Sequence, residues 1–205
     1  GGEGGAAFAS VNAGAFDLYV GGAAINRAFE AVLSKAGHDT EKYQMMHRVL
    51  MNVAGVQGTP DQLFLWSNIK WPEEMIPYRL PAGCASSSVL LSSLPPRFVQ
   101  SDTLAGTVFI DVFDRALAPL GAPTNVGMVY AVGPEGTQAE GGGDFLWAVA
   151  ATGRNLVTAV NLHNAAAGSE GGGGRLDVIR VCLISGGLFR HPDVDKVQVA
   201  GGPLQ

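Results

Sequence analysis

Short, nearly continuous apolar segments alternate along this chain with segments of helical periodicity, and this alternation is what most constrains the fold. The clearest strand-like segments are AFASVNA (7–13), VGMVYAV (126–132) and DVIRVCLIS (177–185), whereas TVFIDVFD (107–114) fits either a strand or a helix. Apolar strands that alternate with helices are typical of a sheet that is covered on both faces. The sequence therefore predicts an α/β protein whose central sheet is mixed and largely parallel.

Helical periodicity is strongest between two glycine-rich patches. There, apolar or buried-type residues recur at three- and four-residue spacing, at Phe145, Leu146, Val149, Leu156, Val160 and His163. Further helices are expected at 23–35, at 41–53 and, shorter, within 86–94. The patches themselves, 140–144 and 168–174, have too little apolar surface to order themselves, which predicts flexible surface loops.

Size and charge narrow the class of protein. A length of 205 residues predicts one domain, 1–205. The formal net charge is −5, and the 13 Lys and Arg residues form no run, which argues against nucleic acid as a partner. No apolar segment approaches the roughly 20 residues of a membrane span, so we expect a soluble protein with no membrane partner.

The cysteine content argues against metal or disulfide chemistry. Cys84 and Cys182 are the only two cysteines, and neither belongs to a cluster with metal-ligand spacing. We therefore expect no metal and no cofactor, and we expect free thiols in an intracellular, reducing compartment.

Two strand ends are followed by glycine pairs that suit anion binding. Gly21 and Gly22 precede the helix that starts near Ala23, where unpaired amide groups and the helix dipole favour an anion. Ser185-Gly186-Gly187 follows the last strand and can form a backbone nest for phosphate oxygens, with Phe189 placed to lie over a sugar or a ring. The alternative for each pair is a purely structural turn or close helix packing.

Four segments, in order, resemble the macro-domain family. The first segment is VNA followed by a glycine pair and AINRAF, which is similar to the family's VNAAN and glycine-rich segment. The second, PAGCASS (81–87), is similar to the family's GxC loop, and the third, VYAVGP (129–134), to its IHTVGP strand. The fourth, IRVCLISGGLFRHP, is similar to the family's IAFPxISTGIYGYP segment. The resemblance implies a three-layer αβα sandwich, with an insertion near 95–125.

The macro-domain resemblance also implies a ligand, namely ADP-ribose or a related nucleotide, with ADP-ribosylated protein as a possible partner. By position, the residues that would grip the diphosphate are Gly21, Gly22 and Ala23 in the first loop, and Ser185, Gly186, Gly187, Leu188, Phe189 and Arg190 in the second. Ala15 stands where hydrolytic members carry an asparagine, and Arg190 replaces the closing glycine. These departures favour binding over catalysis.

Three hypotheses follow from the resemblance and its departures. The first is an ADP-ribose-binding module, and the second a degenerate macro-like scaffold or oligomerisation domain without ligand. The third is a hydrolase of ADP-ribosyl or phosphate ester groups in which Asp17 or His191 replaces the missing asparagine. For both residues a structural role, in a turn or an exposed loop, stays open.

Overall fold

The computed structural model of this chain describes residues 7–14, 24–35, 63–65, 84–90, 92, 94–98, 105–113, 125–167, 175–187 and 189–201. Its strands are β1 (Phe8–Gly14), β2 (Leu63–Leu65), β3 (Cys84–Leu90), β4 (Val108–Phe113), β5 (Asn125–Val132) and β6 (Val178–Arg180). Its helices are α1 (Ala24–Lys35), α2 (Gly142–Ala166) and α3 (Lys196–Gly201). Two short 3₁₀ turns lie at Pro96–Phe98 and Gly136–Gln138.

The strands form one mixed sheet in the order β2-β3-β4-β5-β1-β6. Only β1 with β5 and β1 with β6 pair in parallel, and the other three pairings are antiparallel. The α/β class and the mixed sheet are thus confirmed, but the expectation of a largely parallel sheet is wrong. Parallel strands need a long crossover connection, and among the described elements the parallel strands are those next to α1 and α2 in the sequence.

The predicted elements match the structure unevenly. The strands expected at 7–13 and 126–132 are confirmed, the ambiguous segment 107–114 is a strand, and α1 and α2 lie where helices were predicted. The helix expected within 86–94 is wrong, because Cys84–Leu90 is the strand β3. Of the segment 177–185, only Val178–Arg180 is a strand. The helix predicted at 41–53 lies outside the described residues.

One face of the sheet packs against α2. Strand residues Ala9, Val11, Leu90, Val108, Ile110, Val129 and Ala131 form a buried cluster with Leu156 and Ala159 of the helix. Ile179 of β6 packs against the same cluster. Since side chains alternate between the two faces of a strand, the even-numbered residues of β1 and β6 must point to the other face, which we call the far face.

Polar side chains of α2 fix the helix to the sheet. Asn155 donates to the carbonyl of Gly106 at 2.8 Å, at a turn where the φ of +84° requires glycine. His163 Nδ1 lies 3.1 Å from the Ser88 hydroxyl of β3, and both groups are buried. Because a buried polar group that loses its partner costs about 1–3 kcal/mol, these bonds set the helix in one position on the sheet.

The first turn of α2 carries an ion pair. Gly142–Asp144, the end of the segment predicted as a flexible loop, form this turn, while the patch 168–174 lies outside the described residues. Asp144 accepts from the Arg97 guanidinium at 2.6 Å and from the backbone amide of Glu140 at 3.0 Å. The hydrogen bond from Arg97 holds the pKa of Asp144 below its usual value, because it favours the charged carboxylate.

Replacing Asp144 with asparagine is expected to lower the Tm at pH 7 by about 2 °C, since the pair is partly exposed. A carboxyl group whose pKa is lowered by folding stabilises the fold above its unfolded pKa and loses that effect as the pH falls through the folded pKa. The Tm difference should therefore disappear as the pH drops below the ordinary value of 3.8. Thermal melts across pH test this, with Arg97→Gln and the double variant closing the cycle. A difference that persists at low pH would contradict it.

Candidate functional site

The loop predicted to bind phosphate, Ser185–Arg190, follows β6 and closes against the loop after β5. Ser185 has a φ of 55°, in the left-handed region, and its buried hydroxyl donates to the carbonyl of Pro134 at 2.8 Å. The backbone amide of Gly136 donates to the carbonyl of Phe189 at 2.7 Å. The serine hydroxyl is therefore used to join two loops.

Arg190 and His191 also serve the structure of this loop. The guanidinium of Arg190 donates to the backbone carbonyl of Val194, four residues along the chain. His191 is buried, and its Nδ1 accepts from the backbone amide of Asp193 at 3.2 Å. The His191 ring centroid lies 6.2 Å from that of Phe145 in α2. The Arg190 side chain therefore bonds within its own loop. His191 is buried, whereas its sequence context suggested an exposed loop histidine.

The remaining predicted site residues, Asp17, Gly21, Gly22, Ala23 and Leu188, lie outside the described residues. Because β1 and β6 are parallel neighbours, the carboxyl ends of these two strands lie at the same end of the sheet. Within the described residues, no group of three or more His, Cys, Asp or Glu side chains is placed to hold a metal ion. Nor does any helix of this part of the chain have the length and apolar character needed to cross a bilayer.

The Cys182 thiol is a packed group just after β6. It donates to the carbonyl of Val11 at 3.3 Å, and burial raises its pKa because the thiolate would be desolvated. A raised pKa disfavours the nucleophilic thiolate. The contact helps to hold the chain after β6 against β1.

An aromatic ring and a guanidinium lie together on the far face, where β1 meets β6. Phe8 pairs with Val178 in the strand register and Ser10 pairs with Arg180, so these four side chains share that face. The Arg180 guanidinium carbon lies 4.9 Å from the centroid of the Phe8 ring. Arg180 is exposed, Phe8 and Ser10 are half-buried, and Val178 is 38% exposed. We call this surface the β1–β6 platform.

A second arginine flanks the platform. The side chain of Arg175 is 71% exposed, and its Nε lies 3.7 Å from a carboxylate oxygen of Asp177. The same carboxylate accepts from the backbone amide of Ala7 at 2.9 Å, which fixes it beside the start of β1. The contacts of Asp177 thus place Arg175 near the start of β1, where Phe8 begins the platform.

The chemistry of the platform is that of a stacking surface. Aromatic rings and guanidinium planes both stack on flat π systems, and a guanidinium also pairs with phosphate oxygens. Sequence reasoning missed this surface because it expected both faces of the sheet to be covered. The available signal was the pattern of β6 itself, in which Val178 and Arg180 flank the core residue Ile179.

Comparison with known proteins finds two relatives that carry the same name. The chain is 34% identical over 199 residues to a protein named DNA/RNA-binding protein ALBA4 from Plasmodium yoelii yoelii, covering 93% of this chain and 50% of that protein. It is 33% identical over 199 residues to the protein of the same name from Plasmodium falciparum (isolate 3D7), with the same coverage. This chain thus spans about half the length of the curated relatives it matches. No protein-family model matches the chain.

These comparisons overturn the macro-domain assignment. The relatives are named for DNA and RNA, and none of the comparisons supports a macro domain, so the expectations of ADP-ribose binding, of a degenerate macro-like scaffold and of an ADP-ribosyl hydrolase are wrong. The motifs misled because a short apolar strand followed by glycines is what many parallel strand ends look like. The expectation that nucleic acid is not a partner is contradicted as well, because both relatives are named for DNA and RNA.

Proposed function

We propose that this chain binds single-stranded nucleic acid on the β1–β6 platform. The observation that carries the proposal is the 34% identity, over 93% of this chain, to a protein named DNA/RNA-binding. The platform supports it, because bases of an unpaired strand stack on aromatic and guanidinium planes whereas those of a duplex are already stacked on one another.

The net charge of the chain favours binding by base stacking over binding by many contacts to phosphates. Non-specific duplex binding relies on many lysine and arginine contacts to phosphates, and a chain with a net charge of −5 has few to offer. Stacking on Phe8 and Arg180, with Arg175 near the backbone of the strand, needs only two cations. The platform thus suits a short unpaired segment.

We also infer a three-layer arrangement, which would confine the platform to one corner of the far face. In α1, Phe29 and Leu33 are buried, and Asn26 donates to the carbonyl of Ala13 in β1 at 3.3 Å. None of the three α1 residues, Asn26, Phe29 and Leu33, belongs to the cluster that α2 forms with the sheet. A helix that covers the carboxyl half of β1 on the far face leaves the side of Phe8 and Val178 accessible.

The backbone nest at Ser185–Arg190 stays a prediction, now for a phosphate of the same strand. Val181, which is 57% exposed, directly follows Arg180 and leads toward this loop. A nucleic-acid strand whose bases stack on the platform can extend along this surface to the loop.

Fluorescence anisotropy with labelled 12-nucleotide RNA and DNA strands tests the proposal. We expect saturable binding to unpaired strands, weaker binding to a duplex of the same length, and a slope of log affinity against log salt of about −1 to −2, as two phosphate contacts imply. An absence of saturable binding to every strand at low salt would overturn the proposal, as would a clear preference for duplex.

A further inference from the structure

Three exposed apolar side chains follow one another along the edge of the sheet, from the β1–β6 platform onward. Of the seven large apolar side chains that are exposed in the described part of the chain, Val178, Val181 and Leu183 lie within six residues. Single apolar side chains on a surface are normal, whereas a group of them at one place marks a binding surface. We call these three residues the apolar strip.

The apolar strip faces away from α2. Cys182 packs against the buried cluster that α2 forms with the sheet, and Ile184 is part of that cluster. Successive side chains of an extended chain point to opposite sides, so Val181 and Leu183, which flank Cys182, point toward the far face. Val178 already lies on that face as part of the platform. The strip therefore continues the platform on the same side of the sheet.

The other end of the strip meets the loop predicted to bind phosphate. The Leu183 side chain lies against the backbone of Gly186, where a Cβ atom would overlap the leucine Cγ and Cδ2 atoms. At about 3.3 Å per residue, the five steps from Val178 to Leu183 span up to roughly 17 Å. Since successive nucleotides of a stacked strand are about 3.4 Å apart, this length holds up to about five bases.

The surroundings of the strip favour nucleic acid over protein as its occupant. The exposed Arg180 stands between Val178 and Val181, and a protein strand paired with this edge would have to desolvate its guanidinium. Phosphate oxygens would instead pair with that group. In addition, β6 has only three residues, and so short an edge strand is a poor template for a further strand.

We propose that the apolar strip contacts the 5-methyl group of pyrimidine bases, so that the chain binds a thymine strand more tightly than the uracil strand that lacks only this methyl. Valine and leucine side chains offer no hydrogen bonds to base edges, but they remove a methyl group from water, and thymine carries one at C5. The inference rests on the proposed function, to which it adds a base preference and, through thymine, a preference for DNA.

Two pairs of labelled 12-nucleotide DNA strands test the strip, because the members of each pair differ only in the methyl group: thymine against uracil, and 5-methylcytosine against cytosine. Burial of one methyl group is worth roughly a factor of four in affinity, so we expect the full chain to bind the methylated strand of each pair about three- to tenfold more tightly. The double variant Val181→Ser with Leu183→Ser should lose both differences. Its affinity for the uracil strand should stay within about threefold of wild type, because Phe8 and Arg180 are unchanged.

Val157→Ser is the matched control. Val157 is nearly as exposed as Val181 but belongs to α2, on the opposite face of the sheet, so this variant should keep both methyl preferences. The replaced side chains are exposed, and the variants should therefore melt close to the wild-type temperature. If the double variant does not fold, Val181→Ser alone should reduce each preference about twofold.

Three outcomes would contradict these expectations. Equal wild-type affinities within both pairs, or preferences that the folded strip variants retain, overturn the methyl contact and leave the platform standing. A dimer in sedimentation that the double variant disperses, without any methyl preference, overturns it as well and makes the strip an interface between two copies. No binding of any strand by the wild type would instead mean that the proposed function itself has failed.

Discussion

Replacing Gly136 with alanine is expected to lower the free energy of unfolding by about 1–3 kcal/mol, which for a chain of this size is a fall in Tm of roughly 3–10 °C. A Cβ atom at Gly136 would lie 2.5 Å from the backbone nitrogen and Cα of His191, and 2.8 Å from the carbonyl carbon of Arg190. Backbone atoms cannot rotate away as a side chain does. The two loops would have to separate, which strains the bond from the Gly136 amide to the carbonyl of Phe189.

Gly143→Ala provides the matched control for this loop contact. No atom lies within 4 Å of the position of its Cβ, and the residue is in the first turn of α2. Alanine is a better helix former than glycine by up to about 1 kcal/mol, so this variant should melt at the same temperature or higher. Thermal melts followed by circular dichroism measure both. Equal Tm values for Gly136→Ala and the wild type would show that the loops are not packed as described.

Reversing the charge of Arg180 with glutamate is expected to weaken binding of unpaired strands by about 10- to 100-fold, the range that loss of one stacked base implies. The change removes the guanidinium that lies over Phe8 and places a carboxylate where the strand would pass. Arg180→Lys keeps the charge but loses the plane, so its affinity should fall between those of the wild type and the glutamate variant. Anisotropy titrations at one fixed salt concentration measure all three.

Arg154→Glu separates stacking from general electrostatics. Arg154 is exposed on α2, which packs on the opposite face of the sheet, and its reversal alters the net charge of the chain by the same amount. We expect its effect on affinity to stay below about threefold. If the two charge reversals weaken binding equally, the interaction is diffuse and the β1–β6 platform is not the binding surface.

The parts of the fold that the sequence predicts well are those with strong local periodicity. The repeat from Phe145 to His163 is sustained over five turns, and it predicts α2 despite Gly153 in its interior. The strand β3 could not be predicted in this way, because CASSSVL has few of the β-branched and aromatic residues that favour strands. Its conformation depends on neighbours on both sides in the sheet, and Ser88 is held by His163, 75 residues further along the chain.

The candidate site was harder to predict than the fold. Phe8 and Arg180 come from opposite ends of the sequence, and only the register between β1 and β6 brings them together. The strand ends did attract attention as ligand sites, but the visible signals there, Ser185 and Arg190, turn out to bond to carbonyl groups of the protein. Short motifs predict the local turn, whereas the contacts of a side chain depend on segments that are distant in the sequence.

The position of β1 in the sheet has a consequence for how the chain reaches this structure. Although β1 is the first described strand to be synthesised, its two neighbours begin only at Asn125 and Val178. Pairings of such large sequence separation form slowly, because the intervening loop must be closed before any contact offsets its entropy. On the ribosome, the apolar strand must therefore wait with both edges unpaired until β5 has emerged, and with one edge unpaired until β6 follows, which exposes it to aggregation during synthesis.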